Sequence, residues 1–186
     1  MRLPVLIARN YVLSVLSGEV DIVNPRPGCI RLGYSSVGIF DARFDRGIWQ
    51  CSGKVTFEGA AVFSQGSKIS VGASGVLHVG EGFRNMANGE FVCHESMQLG
   101  SNSLVSWDTL IMDTDFHQID GKPSSAPVFL GDSVWVGCRC MVLKGGSVPN
   151  GSVLAAGSTV TKTLAPENSL FGGVNKLLRT GIEWNE

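Results

Sequence analysis

The second half of the chain repeats an aliphatic residue at every sixth position. The residues that follow this rule are Leu130, Val136, Val142, Val148, Leu154 and Val160. A period of six matches neither the 3.6-residue turn of an α-helix nor the two-residue alternation of an ordinary strand. It indicates a structural repeat, which decides the architecture before any other feature. The sequence therefore predicts a solenoid in which each six-residue unit is one short strand and one corner.

Three such units close one triangular coil, so residues eighteen positions apart should lie on top of each other. The predicted stacked pairs are Leu130 on Val148, Val136 on Leu154, and Val142 on Val160. Small residues follow several of the aliphatic ones, at positions 131, 137 and 155, where the backbone turns and a larger side chain would crowd the next coil. Because each coil buries its core only against its neighbours, both ends of the solenoid should need a cap.

The repeat is weaker upstream. Leu99, Val105 and Ile111 are again six apart, whereas Val71 and Val79 are eight apart, which implies a bulge at one corner. A further set has a spacing of seven: Val55, Val62 and Ile69. We expect coils from about residue 30, irregular at first and regular after residue 97.

The chain is predicted to form one domain, 1–186, with three interruptions of the repeat. Residues 1–28 should form a cap, as a short helix or similar element. Residues 118–129 contain glycine, proline and two serines and should leave the coil as a loop. Residues 165–186 should form a tail, in which 174–179 is either a short helix or a last strand.

The charge and cysteine content of the chain limit the classes of ligand and partner that we expect. With 15 basic and 16 acidic residues, the net charge of −1 gives no reason to expect nucleic acid or a membrane surface. The five cysteines are odd in number and lack a Cys-x-x-Cys pair, which predicts small buried thiols rather than disulfides or a zinc ribbon. The apolar N-terminal stretch is broken by Arg9 and Asn10, so neither a membrane span nor a signal peptide is predicted, and we expect a cytoplasmic protein.

Four segments together resemble the hexapeptide-repeat acyltransferases. Pro127–Gly137, Ala155–Lys162 and Phe171–Arg179 are similar to segments of the maltose and galactoside O-acetyltransferase branch, and Asp113–His117 is similar to a signature of acetyltransferases from polysaccharide gene clusters. The resemblance implies an all-β, left-handed parallel β-helix. It also implies an acetyl-CoA-dependent O-acetyltransferase that modifies a sugar or polysaccharide precursor, assembled as a homotrimer with active sites between subunits.

Two features depart from that family. Val174 stands where the family usually has proline, and the N-terminal third does not resemble the helical maltose-binding cap of the sugar O-acetyltransferases. Free maltose or galactoside is therefore not implied as the acceptor.

His117 is the candidate general base. Acyl transfer to an alcohol needs a base for the hydroxyl proton, donors for the developing oxyanion, and alignment of the two substrates. His117 stands at the start of the predicted loop, where Asp113 or Asp115 is close enough in sequence to orient it. We favour Asp115, because residues two apart on a strand share a face. Counting by six from Ile111 would point His117 inward, so we expect the chain to leave the coil near Phe116.

The remaining candidates follow from the resemblance or from position. The residues expected to contact the coenzyme are Trp135, Ala155, Ala156, Gly157, Lys162 and Arg179. The residues expected to contact the acceptor are Asn85, Asn88, Trp107 and Asp113. His78 and His94 are expected to be structural or solvent-facing.

Other functions stay open on the sequence alone. N-acetylation of an amino sugar would use the same scaffold, and a non-catalytic β-helix would serve as a binding module. A β-helical metal enzyme such as a carbonic anhydrase needs clustered histidines, but the three histidines of this chain are spaced 16 and 23 apart, so no metal is expected.

Overall fold

The computed structural model describes residues 3–35, 37–41 and 43–185, and every regular element in them is a β-strand. The strands form three sheets, and consecutive strands visit the sheets in rotation. Each turn of the chain therefore adds one strand to each sheet, and the three sheets enclose a triangular prism. The predicted hexapeptide-repeat parallel β-helix is confirmed.

Within each sheet, the strands follow one another along the prism in chain order. Sheet A contains β1 (Val5–Ile7), β4 (Ile30–Leu32), β7 (Ala61–Phe63), β10 (Phe83–Asn85), β13 (Leu104–Val105), β16 (Trp135–Val136), β19 (Val153–Leu154), β21 (Ser169–Gly172) and β22 (Lys176–Thr180). Sheet B contains β2 (Tyr11–Leu16), β5 (Gly47–Cys51), β8 (Lys68–Val71), β11 (Glu90–Cys93), β14 (Leu110–Met112), β17 (Met141–Val142) and β20 (Thr159–Val160). Sheet C contains β3 (Glu19–Ile22), β6 (Lys54–Phe57), β9 (Val76–Val79), β12 (Ser96–Leu99), β15 (Val128–Leu130) and β18 (Ser147–Val148).

The regular C-terminal coils have the predicted register. The three observed pairs are Leu130 with Val148, Val136 with Leu154, and Val142 with Val160. All six side chains are buried, so the period of six reports the inward row of each sheet. The sequence alone therefore determines which residues stack in this half of the molecule.

The upstream coils are wider and contain larger side chains. Paired residues are 22 apart between Lys68 and Glu90, but 18 apart between Met141 and Thr159. The wider coils are filled by four buried phenylalanines whose neighbouring ring centroids lie 5.1–6.5 Å apart, namely Phe57, Phe63, Phe83 and Phe91. Protein interiors are close-packed, so a longer perimeter requires bulkier inward residues. The prediction that Val62 points inward was wrong. Its neighbours Ala61 and Phe63 occupy the buried positions of β7, and Val62 lies on the outer face.

The N-terminal segment is not a separate cap. Residues 5–22 form β1, β2 and β3, which pair in parallel with β4, β5 and β6. The first coil thus begins well before residue 30, and the helical interpretation of this segment was wrong. Its apolar residues alternate too irregularly for the six-residue rule, since β2 carries a register shift between Leu13 and Val15.

Two long connections leave the prism without interrupting its ladders. The 33–46 loop joins sheet A to sheet B in the second coil, and the 113–127 loop joins sheet B to sheet C in the fifth. The second loop was predicted as 118–129, but it begins earlier, and residues 128–129 belong to β15. The predicted tail also contributes structure, because β21 extends sheet A and β22 returns antiparallel to it, as a strand rather than a helix. None of the segments described forms a helix long and apolar enough to cross a bilayer.

Candidate active site

The 113–127 loop carries His117 on the B–C edge, where chain segments pass from sheet B to sheet C. After β14, Asp113 and Thr114 are still buried, and the chain then turns outward. Phe116 adopts a left-handed conformation with φ of 59°, and its backbone N–H donates to the Thr114 Oγ1 at 3.0 Å. His117 is consequently exposed rather than inward. The expected departure from the coil occurs, and it resolves the conflict with the six-residue count.

Asp113 anchors the base of this loop to the preceding coil. Its carboxylate accepts the backbone N–H groups of His94 at 2.7 Å and of Glu95 and Ser96 at 2.8 Å each. The side chain is fully buried. The three donors satisfy a carboxylate that would otherwise be costly to bury. The assignment of Asp113 to acceptor binding was therefore wrong, because no part of it reaches solvent.

Lys144 clamps the two limbs of the loop. Its ammonium group forms an ion pair with Asp115 on the outgoing limb and donates to the Pro123 carbonyl at 3.0 Å on the returning limb. Asp115 therefore faces Lys144, and within the described part of the chain His117 has no hydrogen-bond or ion-pair partner. The geometry gives no support to Asp115 as the residue that orients the imidazole. The sequence analysis did not identify Lys144. The one feature of the sequence that could have indicated it is a basic residue at the B–C corner that follows the loop.

A second imidazole lies beside the loop. His94 is half-buried at the B–C corner one coil earlier, and its ring meets that of Phe116 edge to face, with centroids 5.0 Å apart. His94 thus contacts the residue immediately before His117. The contact joins positions 22 apart and has no local sequence signal.

Trp135 lies on the outer face of sheet A. Its indole N–H donates to Ser106 Oγ at 3.2 Å, and its ring lies 6.0 Å from that of Trp184 in the C-terminal tail. Trp184 in turn donates to the Ser133 carbonyl at 2.7 Å. Trp135 remains 40% exposed, so it is accessible to a ligand beside the tail. Trp184 was not among the predicted residues.

Ala155, Ala156 and Gly157 turn the A–B edge, where chain segments pass from sheet A to sheet B. Ala156 and Gly157 are exposed, and Gly157 has φ of 73° with open space around the position of a Cβ. The corner therefore leaves room for a slender ligand next to backbone groups. Lys162 and Arg179 are both exposed, but Lys162 stands at a B–C corner and Arg179 on β22. The chain does not gather these five predicted coenzyme contacts at one place.

His117 and the small-residue corner occupy different edges of the prism. Sheet B lies between the two edges. A single subunit therefore does not bring His117 to Ala156.

The predicted acceptor residues also separate. Asn85 is fully buried, where it accepts a hydrogen bond from Ser67 and donates to the Val105 carbonyl at 3.4 Å, so its assignment to acceptor binding was wrong. Trp107 is half-buried at an A–B corner. Asn88 lines a cleft of about 530 Å³ on the same edge, beneath the 33–46 loop. Of the four predicted residues, only Asn88 lines that cleft.

The cysteines are all free thiols, and four of the five are buried. Burial, followed by the nearby Asp113 carboxylate, raises the pKa of the Cys93 thiol to about 12. Burial also raises the pKa of Cys140. Thiolates are the nucleophilic form, so these two side chains are unsuited to covalent catalysis. Among the residues that the structure describes, no group of three histidine, cysteine or acidic side chains is placed to bind a metal.

Comparison with known sequences links the chain to acetyltransferases. No protein-family model matches it. It is 30% identical to the galactoside O-acetyltransferase of Escherichia coli K12 over 117 residues, which cover 60% of this chain and 53% of that enzyme. It is 34% identical to an acetyltransferase-like protein of Staphylococcus aureus (strain Mu50) over 64 residues, covering 34% of this chain and 32% of the relative. The chain thus spans between about a third and about half of the curated relatives it matches.

Solved structures share the fold. A hexapeptide-repeat acetyltransferase from Vibrio cholerae matches with a TM-score of 0.55 and 21% identity, covering 62% of this chain and 67% of that one. A maltose O-acetyltransferase from Clostridium difficile matches with a TM-score of 0.50 and 30% identity over 58% of this chain and 60% of that one. A polysialic acid-specific acetyltransferase matches with a TM-score of 0.52 and 18% identity over 96% and 90%.

These likenesses identify the class of protein that the chain resembles as the hexapeptide-repeat acetyltransferases. Within that class, two proteins that are 30% identical to this chain are named for a sugar substrate, the galactoside and the maltose O-acetyltransferases. The resemblance inferred from the four sequence segments is confirmed.

Proposed function

We propose that this protein transfers an acetyl group from acetyl-CoA to a hydroxyl of a sugar or polysaccharide precursor, with His117 as the general base. The observation that carries the proposal is an exposed histidine on a loop that a buried carboxylate and a lysine fasten to rigid coils. Catalytic groups are commonly presented on loops positioned by a rigid scaffold. The names of the sugar O-acetyltransferase relatives support the choice of acceptor and acyl group.

The proposed step is a direct transfer. A ring nitrogen of His117 takes the proton of the acceptor hydroxyl as its oxygen attacks the thioester carbonyl. The tetrahedral oxyanion then collapses, the carbon–sulfur bond breaks, and the imidazolium returns its proton to the departing thiolate. The products are the O-acetyl sugar and free coenzyme A. Histidine suits both halves of this cycle because imidazole exchanges protons near neutral pH.

The A–B corner fits the acyl donor. Ala156 and Gly157 expose backbone without bulky side chains, which allows a pantetheine arm to lie close to the chain. Trp135 offers a partly exposed aromatic surface on the adjoining sheet. Lys162 and Arg179 are exposed cations of the kind that bind phosphate groups.

The separation of the two edges supports a site between subunits. His117 of one copy would meet the Ala155–Gly157 corner of its neighbour, which a closed cyclic assembly provides without changing either chain. We therefore propose a homotrimer in which each active site combines two copies. The expected cytoplasmic location stays a prediction.

The primary test measures release of coenzyme A thiol from acetyl-CoA in the presence of neutral sugars, oligosaccharides and amino sugars. The proposal expects acceptor-dependent thiol release and an ester in the product, identified by mass spectrometry and its lability to mild base. Exclusive formation of an amide with amino sugars would contradict O-acetylation. Failure of every acceptor to stimulate thiol release would favour a binding protein.

Replacing Lys144 with methionine is expected to lower kcat about tenfold and to leave the KM for acetyl-CoA nearly unchanged. The loss of both contacts frees the limbs of the loop, and small misplacements of a catalytic group reduce rates steeply. Lys122→Met is the matched control, because Lys122 is an exposed lysine in the same loop and is not part of the clamp. Equal kcat values for the two variants would remove Lys144 from the proposed machinery.

Replacing Ala156 with phenylalanine is expected to raise the KM for acetyl-CoA at least about tenfold, because the ring would fill the space proposed for the pantetheine arm. A tenfold change corresponds to only about 1.4 kcal/mol of binding free energy. Ala73→Phe is the control, since Ala73 is an exposed alanine at a B–C corner of another coil. The melting temperatures of both variants should stay near that of the wild type.

The same variant tests the shared site. At an acetyl-CoA concentration well below the raised KM, Ala156→Phe and His117→Ala subunits should each be weakly active alone. They should regain activity after they are unfolded together and refolded as mixed oligomers. In such mixtures, some sites receive an intact His117 from one subunit and an intact Ala156 from the other. Mixed oligomers that show no more activity than the separate variants would contradict the proposed trimeric site.

A further inference from the structure

The cleft on the A–B edge is built by a loop whose ends are fixed. The backbone N–H of Gln65 donates to the Ser35 carbonyl at 2.8 Å, and the Gln65 side-chain amide donates to Asp45 Oδ2 at 3.0 Å. Asn10 also donates to the Asp45 carbonyl at 3.1 Å. Both limbs of the 33–46 loop are therefore attached to the coils. Phe44, Asp45 and Arg46 at the end of this loop form a wall of the cleft of about 530 Å³.

The cleft combines an aromatic surface with hydrogen-bonding edges. Phe44, on the loop, is 80% exposed and lines the cleft. Across from it, Asn88 and Asp108 occupy successive A–B corners, and the Asn88 amide lies 3.4 Å from Asp108 Oδ1. A sugar ring presents an apolar C–H face and a polar hydroxyl rim, which such a lining matches. Ligand sites generally combine apolar area with a few polar groups that fix orientation.

The cleft lining has no excess of positive charge. Its cations are Arg46 and Lys68, and its carboxylates are Asp45, Glu90 and Asp108, which gives a net charge of −1. Lys68 is paired with Glu90 at 2.6 Å, and Arg139, outside the lining, lies 3.8 Å from Asp108. A polyanionic glycan would require an excess of cations to bind. The lining therefore favours an uncharged glycan.

The cleft and His117 lie at opposite ends of one exposed face. The cleft opens over the row of sheet B that pairs Lys68, Glu90 and Leu110. The next outward row, two residues along the strands, pairs Ser70, Val92 and Met112, and the B–C edge with the 113–127 loop follows it. At about 3.3 Å per residue, the four positions from Glu90 to His94 correspond to roughly 13 Å. A single sugar ring does not cover that distance.

We infer that the cleft binds a segment of an uncharged oligosaccharide or polysaccharide while a more distant sugar of the same chain is acetylated at His117. This inference rests on the proposed function and adds to it the length and the charge of the acceptor. It makes Phe44 a specificity residue for chain length rather than a catalytic residue.

The test uses the full-length protein and measures binding separately from transfer. Saturation-transfer NMR without coenzyme would be recorded with maltopentaose, β-1,4-galactopentaose and an α-2,8-linked sialic acid pentamer. At least one neutral pentamer should bind more tightly than the sialic acid pentamer. Phe44→Ala should weaken that binding about tenfold, the scale of one aromatic contact. Ile39→Ala is the control, because Ile39 is 72% exposed in the same loop and does not line the cleft.

Transfer kinetics supply the second measurement. Phe44→Ala should reduce kcat/KM about tenfold for the neutral pentamer that binds, and less than about twofold for the methyl glycoside of the same sugar. Asn88→Gly removes the amide while tolerating the φ of 55°, and Asn102→Gly, at φ of 54° outside the cleft, is its control. Only Asn88→Gly should reduce kcat/KM for the neutral pentamer.

Three results would overturn the inference: no binding of a neutral pentamer to the wild type, tighter binding of the sialic acid pentamer, or equal behaviour of Phe44→Ala and Ile39→Ala. If neutral pentamers bind at Phe44 but no acceptor stimulates thiol release, glycan binding by the cleft is supported and the proposed acetyl transfer is contradicted.

Discussion

Replacing His117 with alanine is expected to lower kcat for acetyl transfer by about 10²- to 10⁴-fold, the usual contribution of a positioned general base. The substitution should leave the fold intact, because the imidazole is exposed and has no hydrogen-bond or ion-pair partner among the residues described. The measurement is thiol release at saturating acetyl-CoA and acceptor. The KM for acetyl-CoA should change little, since the base contacts the acceptor hydroxyl.

His78→Ala is the matched control for this experiment. His78 lies on the outer face of sheet C, where its Nε2 is 3.3 Å from Glu58. Its removal should leave kcat unchanged within about twofold, because a contact between exposed groups contributes little to stability. Retention of substantial activity by His117→Ala, or equal losses in the two variants, would remove His117 from the base role.

Asp113→Ala is expected to lower the free energy of unfolding by about 3 kcal/mol, because it leaves three partly buried backbone N–H groups without their acceptor at about 1 kcal/mol each. The substitution also releases the base of the 113–127 loop, so kcat should fall with stability. Chemical denaturation monitored by circular dichroism measures the first effect, and thiol release below the unfolding transition measures the second.

Asp132→Ala is the matched control, since the exposed Asp132 accepts one backbone N–H, from Ser101 at 2.7 Å, in an equivalent contact between coils. Its removal should cost about 1 kcal/mol or less and should leave kcat unchanged. Similar losses of stability in both variants would show that the number of amides bound by Asp113 does not determine its contribution.

The sequence predicted the regular half of the fold because one rule governs it. In the 18-residue coils, each inward position depends only on the residue one coil away, so spacing alone identified pairs such as Val136 with Leu154. The rule fails where the coil length varies. In the wider coils, an inward residue such as Phe63 is identified only after the number of residues at each corner is known.

The candidate site was predicted only where it depends on the local sequence. The position of His117 on a loop followed from the interruption of the repeat and from its neighbouring residues. The contacts that fix the loop join segments distant in sequence: Asp113 bonds to residues 17 to 19 positions earlier, and Lys144 contacts Asp115 and Pro123. The spacing of Asp115 and His117 suggested that the two side chains pair directly, but Asp115 instead forms an ion pair with Lys144 in the next coil.

The two long connections lie outside the paired strands that form the fold, and they carry His117 and Phe44. The 33–46 and 113–127 loops leave the prism at corners, and the strands on either side of them still pair in register with the strands of the next coil or the preceding one. Lengthening a flexible loop is inexpensive, since each doubling adds only about 0.6 kcal/mol of closure entropy. Either loop is therefore free to diverge in length and composition while the coils stay constant. Enzymes of this architecture should acquire new acceptors by exchange of corner loops rather than by redesign of the core.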